Sequence, residues 1–113
     1  MKKIEAIIRP LRLEAVKTAL AEAGVTGLTV SDVRGSGTER SARLHAFRGA
    51  EYILALTPKI KIEMTVRDTL VSLVIETVLE QARTGEEGDG KIFVSPMTDA
   101  VRVRTGETGD AAV

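Results

Sequence analysis

From Lys59 to Val66, apolar and polar side chains alternate without a break. Ile60, Ile62, Met64 and Val66 point one way, and Lys59, Lys61, Glu63 and Thr65 the other. Successive side chains of a strand leave on opposite faces, so this pattern specifies a strand with one buried and one polar face. Residues 2 to 9, Lys-Lys-Ile-Glu-Ala-Ile-Ile-Arg, alternate in the same way and stop at Pro10, which has no N–H to continue a ladder. Two amphipathic stretches could cover such a sheet. Between Arg12 and Ala23, Leu13, Val16, Leu20 and Ala23 share a helical face, and Gly24 stands where a C-terminal cap belongs. Between Asp68 and Ala82, apolar residues at 70, 71, 73, 74, 75, 78, 79 and 82 take more than half of the helix circumference. One sheet face does not require so many, and a homo-oligomer would bury the remainder.

Further strands are predicted from Leu28 to Val33, from Ile92 to Val94 or beyond, and, short and arginine-bearing, near 101 to 104. The order β-α-β, long loop, β-α-β predicts an α+β fold, the split βαβ of a ferredoxin-like βαββαβ sandwich. The 113 residues make one domain, 1–113, with no room for a second. The long loop starts polar and glycine-punctuated at Gly35 and reaches Tyr52 or Ala55. Loops of that length in a compact domain tend to be functional or disordered. The last residues, Gly-Asp-Ala-Ala-Val, read as a mobile tail.

Composition removes several functions. Sixteen basic and sixteen acidic residues cancel, so no global charge argues for nucleic acid or an anionic membrane. One tyrosine and two phenylalanines are few for a base-stacking RNA reader. Without cysteine there is no disulfide framework, thiolate metal site or cysteine nucleophile. Glu5 and Arg9-Pro10 interrupt any signal-peptide core after Met1-Lys2-Lys3, and no apolar run is long enough to span a bilayer. The expectation is a cytoplasmic protein.

The chemistry lies near the C-terminal end. Thr84 to Val94 reads Thr-Gly-Glu-Glu-Gly-Asp-Gly-Lys-Ile-Phe-Val, and ten residues later comes Val101-Arg102-Val103-Arg104-Thr105-Gly106. Gly88, Asp89, Gly90 and Lys91 offer bare backbone N–H groups and an ammonium, and Arg102 and Arg104 offer guanidinium forks. Phosphate sites are built from such parts. On the motif alone, a helix-ending turn that needs glycine only for positive φ explains it as well. Arg102 and Arg104 alone read equally as edge protection. The two together favour an anionic ligand. The order of elements is the reverse of a P-loop's. His45, the one histidine, sits in the polar loop and reads as incidental; Glu86 and Glu87 read as solvated charge. Tyr52 is a packing residue or, if exposed, a site of modification or partner contact. No Ser/His/Asp constellation can be assembled, so no catalytic residue and no metal ligand is assigned.

Four segments together resemble the PII signal-transduction proteins: Met1 to Pro10, Arg48-Gly-Ala-Glu-Tyr52, Thr84-Gly through Gly88-Asp-Gly-Lys-Ile-Phe-Val94, and Arg102-Val-Arg-Thr-Gly106. The resemblance runs through essentially the whole chain. It implies a compact homotrimer of ferredoxin-like subunits, with ATP or ADP held in the clefts between them. It also implies a long T-loop, here about 37–55, that engages transporters or enzymes. The glycine-rich B-loop would be about 83–91 and the C-terminal loop about 102–113. By position, Ile7, Glu63 and Thr65 would line the adenine and ribose pocket. Thr29, Gly35 and Gly37 would stand on the same cleft at the base of the T-loop. Gly88, Asp89, Gly90 and Lys91 would take the phosphates, with Arg102 and Arg104 arriving from the neighbouring subunit. Lys59 matches a lysine that helps hold 2-oxoglutarate in members that sense it, and Tyr52 a tyrosine uridylylated in some.

One departure shapes the functional expectation. Members that bind Mg-ATP with 2-oxoglutarate carry a metal-ligating glutamine shortly after the second T-loop glycine. This chain has Thr38-Glu39-Arg40-Ser41 there. Arginine cannot ligate Mg²⁺, and a glutamate adds negative charge beside a dianionic ligand. The expectation is a non-enzymatic regulator, in nitrogen metabolism, that binds ATP or ADP, with Mg²⁺ as an optional companion of ATP and little response to 2-oxoglutarate. The alternative is a PII-like sensor of another adenine nucleotide or small anion that serves a different transporter.

Overall fold

The computed structural model describes residues 1–37 and 56–113. The elements run β1 (Lys2–Ile8), a 3₁₀ turn (Pro10–Arg12), α1 (Leu13–Glu22), β2 (Thr29–Gly35) and β3 (Thr57–Val66). A 3₁₀ turn (Asp68–Leu70), α2 (Val71–Ala82), β4 (Gly90–Pro96) and a last 3₁₀ turn (Gly109–Ala112) follow. The expected helices are present, each entered through a 3₁₀ turn. Pro10 opens the first of these, where its missing N–H breaks no helical hydrogen bond.

The sheet has the order β2-β3-β1-β4, with every neighbouring pair antiparallel. This is the ferredoxin-like arrangement: each helix links two strands that lie one place apart, and the other half of the chain fills the gap. Register follows the alternation. Ile4 lies opposite Met64, Ala6 opposite Ile62 and Ile8 opposite Ile60, so the apolar sets of β1 and β3 share one face. All six are buried, packed with Val16 and Leu20 of α1, Val25, and Val74, Val78 and Ala82 of α2. Full burial of an aliphatic side chain is worth roughly 1.5–3 kcal/mol, so this cluster outweighs any surface term in holding the layers together.

Helix α1 ends as its sequence indicates. Gly24 takes φ +89°, its N–H bonds the Ala21 carbonyl at 3.0 Å, and the Val25 N–H bonds the Leu20 carbonyl at 2.9 Å. That double closure is a Schellman motif, and Leu20 and Val25 at its ends both join the core. Helix α2 keeps its surplus. Val74, Val78 and Ala82 face the sheet, while Leu73 and Leu79 stay about two-fifths exposed, 41% and 38%.

The strand expected near 101–104 is not formed. Val101 makes a single bridge to Thr108, and the residues between them turn back on themselves. The Gly106 N–H bonds the Arg102 carbonyl at 2.7 Å, and the Arg102 N–H bonds the Glu107 carbonyl at 2.8 Å. Gly106, at φ +74°, reverses the chain before a strand can propagate. The alternation Val-Arg-Val-Arg has no sheet to join, and Val103 is fully exposed.

Candidate functional site

The glycine-rich turn joins α2 to the start of β4, and its shape comes from one carboxylate. Asp89 Oδ2 accepts the backbone N–H groups of Thr84 and Gly85 at 2.8 and 2.9 Å. Its Oδ1 accepts the Thr84 hydroxyl at 2.5 Å and Arg9 Nε at 3.1 Å. Hydrogen bonds from Thr84 come first, with Gly85 and Arg9 adding to them, and they hold the Asp89 carboxyl well below the usual carboxylate range. It is therefore a fixed anion, with its oxygens committed to the turn. Of the residues expected to take phosphate, Asp89 can contribute only through its backbone.

Two cations hold the turn's carbonyls. Arg9 Nη2 donates to the Glu87 carbonyl at 2.6 Å, and Lys59 Nζ donates to the Gly88 carbonyl at 2.5 Å. Lys59 begins the polar set of β3, yet it is 93% buried, with a relative exposure of 7%; its bond to the turn offsets part of the cost of an ammonium inside the protein. Gly85, Gly88 and Gly90 all have positive φ, +90°, +97° and +105°. At Gly90 the demand is also steric, since a Cβ there would lie 1.7 Å from the Ile7 carbonyl oxygen. Only a glycine lets β4 start this close to β1.

The turn opens on a cavity of about 530 Å³ on the polar face of the sheet. Ile7, Gly35, Gly37, Lys59, Gly88, Asp89, Gly90 and Lys91 all line it, so the fold gathers residues from four parts of the sequence. Glu5, Val33, Arg34, Lys61, Glu86 and Phe93 line it as well, none of them expected from the motifs. The strand register would have named Glu5 and Phe93, which lie opposite each other on β1 and β4 and flank Ile7 and Lys91. Thr29, Glu63 and Thr65 share the same sheet face but stand further along it, Thr29 opposite Glu63 and Thr65 opposite Lys3. They do not line the cavity. Neither do Arg102 and Arg104, which sit exposed on the C-terminal turn. Tyr52 and His45 lie outside the described residues, as does all of the expected T-loop, about 37–55, beyond Gly37.

Cations at the cavity divide into two kinds. Lys61 is paired with Glu63 at 3.1 Å and with Glu5 at 3.8 Å. The Glu63 hydrogen bond raises the Lys61 pKa, while the same bond, with the Lys3 charge, lowers that of Glu63. Lys59 is bonded to the turn. Lys91 and Arg34 have no ion-pair or side-chain hydrogen-bond partner among the described residues. An unpaired ammonium following directly on a positive-φ glycine turn is suited to an anionic group with several acceptor oxygens. Among the described residues no cluster of three or more acidic, histidine or cysteine side chains could hold a metal ion, and no helix is long and apolar enough to cross a membrane.

The comparisons with known proteins agree with one another. A family model described as "Nitrogen regulatory protein P-II" matches residues 1–107. The chain is 51% identical to the "Nitrogen regulatory protein P-II" of Rhodobacter capsulatus and 50% identical to that of Microchaete diplosiphon. It is 48% identical to "Nitrogen regulatory protein P-II 1" of Escherichia coli strain K12, and in all three cases 100% of both chains is covered.

Proposed function

This chain belongs to the nitrogen regulatory protein P-II family, a family of signal-transduction regulators rather than enzymes, and on that premise we propose that it binds ATP and ADP and reports which one is bound to a target protein. The observation that carries the reading is the Lys91 ammonium, unpaired among the described residues, beside the glycine-rich turn on a cavity shared with Gly35 and Gly37. Those two glycines stand at the base of the expected T-loop, so a ligand in the cavity touches that base. Thr57 closes the other side of that base, its hydroxyl donating to the Gly35 carbonyl at 3.1 Å.

In this reading the phosphates rest on the backbone of residues 88–90 and on Lys91, and the base and ribose lie along the sheet face by Ile7. A second copy of the chain completes the site with Arg102 and Arg104, which are exposed and do not line this cavity within their own subunit. The trimer this implies would also cover the apolar surplus of α2. Mg²⁺ enters with ATP, on its phosphates. ATP and ADP differ in the γ-phosphate, and that difference shifts the loop only if the two nucleotides have different affinities for its states. The protein works in the cytoplasm, and its target is a transporter or enzyme of nitrogen metabolism that the loop engages.

Calorimetric titration with ATP, ADP, AMP and cyclic AMP, with and without 2-oxoglutarate, tests the proposal. Saturable binding of ATP and ADP at one site per chain is the expected result. Binding of neither, or a clear preference for a nucleotide without a phosphate chain, would overturn it.

A further inference from the structure

Arg9 and Arg12 both reach across from the end of β1, Arg9 to the glycine-rich turn itself and Arg12 only to helix α2 before it. Arg12 Nε donates to the Gln81 carbonyl at 2.7 Å, in the last turn of α2. Arg9 donates to the Asp89 carboxylate and to the Glu87 carbonyl, at 3.1 and 2.6 Å. The base of the Arg9 side chain is itself pinned. Its backbone is extended, φ −65° and ψ 137°, as a residue before proline is required to be, and its carbonyl accepts the Arg12 N–H at 3.0 Å. Gly88 passes directly over the guanidinium, where a Cβ would come within 3.2 Å of Nη2. Arg9 is nevertheless not among the residues that line the cavity.

We propose that Arg9 is a positioning residue for the glycine-rich turn: its guanidinium fixes the backbone of residues 84–90 and offsets the Asp89 charge, without touching the bound anion. The assignment rests on the reading that this turn receives nucleotide phosphates. Two consequences separate it from a general role in stability. Its effect falls on the phosphate end of a ligand and not on the base. It also depends on the two-armed geometry, one nitrogen on a carboxylate and another on a carbonyl, which an ammonium cannot reproduce.

The test titrates ATP and adenosine into the wild type, Arg9→Gln, Arg9→Lys and Arg12→Gln at one ionic strength. Arg9→Gln should weaken ATP by about tenfold or more, the scale of a lost charge-assisted pair. Adenosine, without phosphates, should weaken by less than about twofold, because its contacts lie away from the turn. Arg9→Lys keeps the charge and should fall between; it also serves where Arg9→Gln does not fold. Arg12→Gln removes the same charge from the same turn of chain and should leave ATP within about twofold, as for screened charge at a distance. Unchanged ATP affinity in Arg9→Gln, equal losses for ATP and adenosine, or an Arg12→Gln loss as large as that of Arg9→Gln would overturn the assignment. A ligand-free readout accompanies it: amide exchange at 84–90 should speed up by about tenfold in Arg9→Gln while β1 and β3 keep their protection. Unaltered exchange with normal ATP binding defeats the role of Arg9 alone. A wild type that fails to bind ATP defeats the proposed function, and this assignment with it.

Discussion

Replacing Gly90 by alanine should damage this protein more than any other single added methyl group at a described glycine. The new Cβ would lie 1.7 Å from the Ile7 carbonyl oxygen and 2.7 Å from its carbon, both backbone atoms, where ordinary contact begins at 3.4 Å. Strand β4 would have to retreat by the difference, about 1.7 Å, which is roughly a third of the ~4.8 Å spacing between strands. Holding alanine at positive φ costs about 1–2 kcal/mol, and forcing an extra carbon into a packed site about 1–3 kcal/mol. The sum is about 2–5 kcal/mol. Gly24→Ala is the matched control: its φ is also positive, +89°, but nothing lies within 4 Å of the added carbon, so only the conformational cost of about 1–2 kcal/mol applies. Urea denaturation followed by circular dichroism, at one protein concentration, compares the two. With a slope of about 1–3 kcal/mol per molar, Gly90→Ala should have the lower midpoint by several tenths of a molar or more. Equal midpoints would mean that the Ile7 backbone yields freely and that the close approach of β1 and β4 constrains nothing.

Three further outcomes follow from the same geometry. Ile62, fully buried at the centre of β3, should cost about 2–5 kcal/mol of unfolding free energy on truncation to alanine, measurable in the same urea assay. The depressed pKa of Asp89 gives stability that is present above the ordinary aspartate range, near pH ~4, and is lost as pH falls toward its folded value; midpoints recorded through that range should decline more steeply in the wild type than in Asp89→Asn, and parallel curves would contradict the assigned bonds. Because Lys59 is bonded to the Gly88 carbonyl and Thr38-Glu39-Arg40-Ser41 contains no glutamine, 2-oxoglutarate should add little to Mg-ATP affinity; a strong, Mg²⁺-dependent synergy in calorimetry would contradict that expectation.

The sheet and its helices were legible because their signals are local and repeat. The period of two at Lys59–Val66 and its counterpart at residues 2–9 specify both strands and the face they bury, and Gly24 marks the end of α1. The same period misleads at 101–104. Val-Arg-Val-Arg obeys the rule for a strand, but a strand exists only where a neighbour pairs with it, and Gly106 turns the chain back first. The parts of the site that were missed depend on contacts between distant positions. Arg9 and Asp89 are 80 residues apart, and nothing next to Arg9 in the sequence announces a partner. The glycine-rich turn was recognised by composition, yet composition could not show that its aspartate would be consumed in shaping it. Nor could alternation show that Lys59 would be buried on a carbonyl while Lys91 stays unpaired among the described residues.

Whether the turn and Lys91 receive the phosphates of an adenine nucleotide is decided by titrating ATP into the wild type and Lys91→Ala in a calorimeter. Loss of a charge-assisted contact of this kind should weaken ATP binding by about 1.5–3 kcal/mol while the unliganded variant keeps its circular dichroism spectrum. ATP affinity unchanged in Lys91→Ala would show that Lys91 does not hold the phosphates.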